Sequence, residues 1–379
     1  MRTVVALALL LGFASACDPK SSAGDSGEAS STDTGNGPSE PDDANDDPTT
    51  LVFTATDYTV YSLGTLDLAT RRLRDSLTTL PGDAVIRHLQ DGRIYNLNRF
   101  GYDVLRAYEP GEWAAPLYEV SLGDGSANPH DIVLCNDELW VSLYGRDTLL
   151  VLNPDTGVLA EAVDLSGFTH GSDVAEFDAL YCRDDRIIAV AQQLDPATYI
   201  SEGGTIVVVD AVTKSPIDSF DVRPNPKTTL HPANPDMLLN FSGHYGVGDG
   251  AITTIDLTTG VESDPLAFDA DYGVTFAGFA ASGQRAVILG TNYDYTATKL
   301  FCVDLETWSI TEGLTIDGYT GSVAGDGLGT AWLGMPTQYA EDGTGMESPT
   351  GLQPFDIEAC TLDGPLIETT LTPSSMTAY

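Results

Sequence analysis

Seven tyrosines recur along the chain, each beside an acid. Tyr58, Tyr102, Tyr144, Tyr199, Tyr245, Tyr293 and Tyr339 stand near Asp57, Asp103, Asp147, Asp195, Asp249, Asp294 and Asp342. Tyrosine offers a flat apolar face and a hydroxyl with little rotamer entropy to lose, and a carboxylate accepts hydrogen bonds from sugar hydroxyls or binds a hard cation. Side by side, the two types suit recognition more than bond breaking. Covalent chemistry has thinner support: the chain has no Gly-x-Ser-x-Gly elbow, no His-Glu-x-x-His, no phosphate-cradling glycine loop and no Cys-x-x-Cys. The five histidines, His88, His130, His170, His231 and His244, are scattered in sequence. A histidine-lined metal or catalytic centre would therefore need a fold that carries distant positions to one axis.

Repetition supplies such a fold. The clearest unit reads Pro129-His130-Asp131-Ile132-Val133-Leu134, then Leu139-Trp140-Val141-Ser142, then Leu149-Leu150-Val151-Leu152-Asn153-Pro154-Asp155-Thr156-Gly157, then Leu159-Ala160-Glu161-Ala162-Val163. These are four short strands, a to d, separated by turn residues. The b strands begin at Leu51, Ile94, Leu139, Ile187, Met237, Ala286 and Ala331, and the c strands end at Asp67, Glu109, Asn153, Asp210, Asp256, Asp304 and Asp356. An Asp or Asn there can bond backbone N–H groups two residues on and start the hairpin to strand d. Seven units at a spacing of about 45 to 50 residues predict an all-β, seven-bladed β-propeller of four-stranded antiparallel blades over residues 51–379. The first unit lacks an a strand and the chain finishes with Ser374-Ser375-Met376-Thr377-Ala378-Tyr379, so this last strand is expected to complete the first blade and close the ring. In such a blade every b–c loop emerges on one face, which places the seven tyrosines in a ring, with Asp103, Asp147, Asp249 and Asp294 as acidic partners. The a strands line the axis. His88 and His231 hold the same place on two of them, and His130 opens a third.

The run Val141-Ser142-Leu143-Tyr144-Gly145-Arg146-Asp147-Thr148-Leu149-Leu150-Val151-Leu152-Asn153-Pro154-Asp155-Thr156-Gly157 resembles the YVTN-repeat, or YncE-like, seven-bladed propellers. The resemblance implies the fold more firmly than a function, since such propellers include surface-layer proteins, periplasmic proteins, a nucleic-acid binder and relatives of sugar lactonases. Tyrosine-bearing turns belong to that repeat pattern, so each tyrosine has a structural role to set beside ligand contact.

The first residues give an address. Arg2, the apolar run Val4–Phe13 and Ala14-Ser15-Ala16-Cys17 read as a bacterial lipoprotein signal peptide (1–16) with Cys17 as the acylated residue, although the same small residues suit ordinary signal-peptide cleavage. Residues 17–50 carry nine acids, one lysine and no aromatic residue, a composition that cannot order itself and whose like charges extend it as a tether. Inner and outer membrane both remain open.

The chain has 56 acids against 17 bases. The first fifty residues hold nine of the acids and two of the bases, which leaves 47 against 15 in the propeller. Such a surface repels nucleic-acid phosphate, so the nucleic-acid binding known within the resembled group is not carried over. Cys135 and Cys182 end the a strands of consecutive units, while Cys302 and Cys360 lie on or beside c strands of the last two; pairing within each couple would staple neighbouring blades in an oxidising compartment.

Together these features lead to an expectation of an exported, lipid-anchored, monomeric cell-envelope propeller that binds or scaffolds without chemistry of its own. The partner would be an envelope protein, a glycan or a cation-bridged ligand on the b–c loop face, the membrane being met through the lipid anchor only. No cofactor is required, and Ca2+ is the ion the acids would accept. The alternative is a metal-dependent, lactonase-like hydrolase or lyase with its site on the channel axis.

Overall fold

Alternation within each strand shows why these segments become blades. In Thr50–Thr56, Leu51, Phe53 and Ala55 join a buried cluster with Trp332 and Leu352, while Val52 between them joins Ile86, Ile94 and Tyr108 on the other side. A strand covered on both faces by neighbouring sheets needs apolar residues at odd and even positions alike. The computed structural model describes residues 48–169, 174–195, 198–339 and 346–379; Cys17, the acidic segment before Pro48, His170 and Asp342 lie outside them.

Seven antiparallel blades form a closed ring. Seven apolar clusters of buried residues are present among the described residues, one at each blade–blade interface. The innermost strands are Ala84–His88, Pro129–Cys135, Phe177–Arg183, Lys227–His231, Val274–Ser282, Val323–Gly325 and Thr372–Ala378. The first blade runs Leu73–Leu80, Tyr61–Asp67, Thr50–Thr56, Thr372–Ala378, so the final strand supplies its inner edge as the sequence predicts. Thr49 and Thr50 donate their N–H groups to the Tyr379 carbonyl at 2.8 and 3.0 Å, and Tyr379 returns a bond to the Thr50 carbonyl at 2.9 Å.

The c–d turns follow the Asp-based rule. Asp67 accepts from Thr70 N and Oγ1, both at 2.7 Å, and Asp210 and Asp304 repeat the arrangement with Thr213 and Thr307. The Glu109 turn uses backbone instead, Glu112 N donating to the Glu109 carbonyl at 3.0 Å.

Two outer strands are interrupted. In the fifth blade Val261–Glu262 and Ala267–Phe268 both pair with Ala251–Asp256, and in the seventh Thr361–Leu362 and Ile367–Glu368 both pair with Gly351–Asp356. Pro265 and Pro365 lie in the gaps, where a residue without an N–H cannot continue a ladder. Both cysteine couples are bonded. Cys135–Cys182 joins the inner strands of the third and fourth blades with Cα atoms 5.5 Å apart, and Cys302–Cys360 joins the sixth and seventh at 6.0 Å.

Candidate functional site

The b–c and d–a loops leave from the same ends of the strands. The first residues of the inner strands therefore open onto the face that carries the tyrosines, and a polar network crosses four blades at that mouth. Arg99 donates from Nε to Asp83 at 2.7 Å and from Nη1 to His130 Nε2 at 2.7 Å. Arginine has only donors, so His130 Nε2 must accept and the ring proton sits on Nδ1, which faces Asp178 Oδ1 at 2.7 Å. With both nitrogens engaged, the His130 ring is held in place. Its ring stacks on Tyr144 with centroids 4.5 Å apart, and the Tyr144 hydroxyl donates to Gln192 Oε1 at 2.7 Å. Gln192 in turn donates to the Pro226 carbonyl at 3.3 Å. Deeper in, Asp131 takes Arg87 Nε at 2.9 Å and Leu180 N–H at 3.0 Å.

The electrostatics follow from depth. Burial works against the Asp178 carboxylate, but the hydrogen bond from His130 and the positive charges of Arg99 and Lys227 hold its pKa below the usual value. Burial pushes Lys227 down to about 8, only partly offset by Asp269, Asp178 and Asp249. Burial also raises Glu176 and Asp269, each to about 7.

Two carboxyls with raised native pKa values have a consequence for stability. Between about pH 4 and 7 the folded chain keeps protons on Glu176 and Asp269 that the unfolded chain releases, so their stabilisation is complete below pH 4 and is lost as pH rises through 7. We expect the double variant Glu176→Gln, Asp269→Asn to gain unfolding midpoint relative to the native chain as pH rises from 5 to 8. Parallel melts that keep a constant difference over that range would contradict it.

All seven b–c loops carry their tyrosine, but the side chains divide. Tyr58, Tyr102, Tyr199, Tyr245 and Tyr293 keep between 37% and 67% of their surface exposed. Tyr144 is turned inward to His130 and Gln192. Tyr339 belongs to a short strand, Gln338–Tyr339, paired with Met346–Ser348. Tyr245 lies under the Lys227 ammonium, 4.3 Å from the ring centroid. Two tyrosines outside the sequence-derived set join the mouth: Tyr295 and Tyr319 meet edge to face at 6.1 Å, and Tyr319, pushed to about 12 by burial first, also feels Tyr58.

Two neighbouring loops and the start of the next inner strand are tied together. Ser201 N donates to His244 Nε2 at 2.8 Å, His244 Nδ1 meets Asp249 Oδ2 at 2.7 Å, and Gly246 N donates to Thr275 Oγ1 at 3.1 Å. Tyr199, Ile200, Tyr245, Val247 and Tyr293 are exposed on this shelf.

The acids serve the loops. Asp103 is fully buried and accepts from Gly125, Ala127 and Asn128 N–H at 2.7, 2.8 and 2.9 Å, and Asp147 accepts from Ala175 N at 2.6 Å. Each begins or precedes a c strand and clamps a loop that leads into an a strand. Asp249 holds His244, and Asp294 closes its own turn on Thr296 Oγ1 at 2.7 Å. Among the described residues no three His, Cys, Asp or Glu side chains gather as a group that could hold a metal ion. His88 and His231 end their strands away from the mouth, beside Tyr379 and Trp308 respectively. The residues that sequence reasoning missed are Arg87, Arg99, Asp178, Gln192 and Lys227. The usable signal was polar residues at the starts of inner strands, as in Pro129-His130-Asp131 and Phe177-Asp178.

A closed ring of seven four-stranded blades, with inner strands around a polar channel, defines a seven-bladed β-propeller. No protein-family model and no curated protein matches the sequence. Among solved structures the chain is similar to a protein from Lactobacillus plantarum, at 14% identity and a TM-score of 0.60, over 88% of this chain and 99% of that one. It is also similar to a putative 6-phosphogluconolactonase from Bacteroides fragilis, at 12% identity and 0.59, over 89% and 99%. Hydrazine synthase of Kuenenia stuttgartiensis follows at 10% identity and 0.54, over 86% and 97%. At such identities the likeness is one of fold.

Proposed function

We propose that this chain is an exported, lipid-anchored cell-envelope propeller that acts as a non-catalytic binding module, with an envelope glycan docking on the b–c loop face. The observation that carries the reading is the set of five exposed tyrosines around a channel mouth whose polar groups are already ordered. Sugar rings present C–H faces that stack on tyrosine, and their hydroxyls find donors and acceptors in the rim. Rigid blades hold the loops, so little ordering entropy opposes binding. Two disulfides suit an oxidising, exported setting. No helix among the described residues is long and apolar enough to cross a membrane.

The test is a panel of envelope glycans titrated against the full chain by calorimetry. Tyr245→Ala and Tyr199→Ala should each weaken binding by about 10- to 100-fold, the usual size for an aromatic anchor. No binder in the panel, or affinity indifferent to both substitutions, would defeat the reading.

A further inference from the structure

The channel carries charge opposite to that of the protein around it. With 56 acids against 17 bases in the whole chain, a cavity of about 470 Å³ inside the ring is lined by Arg87, Lys227, Thr228 and Thr229, with small and apolar neighbours such as Gly325 and Met376, and by no acid. A second space shares Arg87, Thr228 and Thr229 with it and contains Asp131 and Asp178. Those two carboxylates are committed to Arg87 and His130. Arg87 is thus neutralised through Nε at 2.9 Å, while its Nη2 has no partner among the described residues. Lys227 is the surplus charge. Among the described residues no carboxylate forms an ion pair with it; Nζ donates once, to the Gly243 carbonyl at 3.2 Å, and rests on the Tyr245 ring.

An ammonium in the channel with Asp178, Asp249 and Asp269 near enough to act on it but none paired with it leaves a positive charge that an anion can answer. Burial already drives the Lys227 pKa down to about 8. The inner strands add donors of a second kind. Each is the last strand of its sheet, so its axial edge has no further strand to pair with.

We infer that this cavity is an anion site, taking a small polar molecule that bears a carboxylate or a phosphate between Lys227 and Arg87. The ammonium supplies the unpaired charge, the guanidinium a planar donor, and the Thr229 hydroxyl with axial N–H groups the remaining hydrogen bonds. The volume admits a monosaccharide-sized anion. Lys227 rests on Tyr245, so the site adjoins the tyrosine rim, but its test uses small anions rather than glycans, which keeps its failure distinguishable from that of glycan docking.

The test titrates the full chain with inorganic phosphate, sodium gluconate and, as a neutral polyol, glucose, at ionic strength matched with sodium chloride. Phosphate and gluconate separate the two anion chemistries. We expect saturable heat and a raised unfolding midpoint with at least one anion and neither with glucose. Lys227→Met should weaken that binding at least about 30-fold, the least expected from removing one partner of a buried charge pair. Lys227→Arg, which keeps the charge, should retain it and so separates charge from damage to the fold. If Lys227→Met does not fold, Lys227→Gln takes its place. Absence of saturable binding by both anions, or anion binding unchanged on removing the Lys227 charge, overturns the inference.

Discussion

A chain lacking residues 372–379 is expected to lose its cooperative unfolding transition near physiological temperature. The deletion removes the inner strand of the first blade, six registered positions from Leu51↔Ala378 to Thr56↔Thr372, and with it Met376 from the cluster between the last and first blades. Backbone pairs contribute about 1 kcal/mol each net, and burying a methionine about 1.5–3 kcal/mol, so the loss is comparable with the 5–15 kcal/mol that holds a typical domain. Ser375 Oγ also accepts from Ile86 N at 3.1 Å, so the second blade loses a hydrogen bond as well. The milder variant Met376→Ala should stay folded and cost about 2–5 kcal/mol. Thermal and denaturant melts followed by circular dichroism read both effects. A truncated chain that melts with the native midpoint would refute the closure role assigned to this strand.

Replacing both cysteines of either bridge should lower stability by about 4 kcal/mol on the loop-entropy estimate, because the bridges close segments of 47 and 58 residues. The two lie at separate interfaces, third with fourth and sixth with seventh, so their losses should add. Cys135 is buried, with Cys182 packed against the same cluster, so dithiothreitol should act on the folded chain more slowly than on the unfolded one. Denaturant midpoints of the two double variants and of their combination decide it. Midpoints equal to that of the native chain would mean that the bridges lie where the unfolded chain already brings these residues together.

The blades were legible because their signals are local. Seven apolar runs, an Asp or Asn at the turn between c and d, and a strand left over at one end of the chain settle the topology without knowledge of a single long-range contact. The tyrosines were placed on the correct loops for the same reason. Their orientations were not legible: Tyr144 turns inward because His130 and Gln192, from its own and the next blade, offer a ring and an acceptor. Asp103 looked like a surface ligand until the loop from Leu122 to Asn128 folded over it and offered three N–H groups. The cations of the channel escaped for a related reason. Arg87 and Arg99 belong to the second blade and Lys227 to the fifth, and only the closed ring turns them toward one axis.

The seam between the first and last strands bears on mechanics. Tension applied at Pro48 along the b strand of the first blade pulls Thr50–Thr56 lengthwise between two antiparallel neighbours, Tyr61–Asp67 and Thr372–Ala378. In that geometry the hydrogen bonds on both sides are loaded together, in shear, and none can be peeled before the rest. A module held at this end would resist drag on its far face with the whole blade.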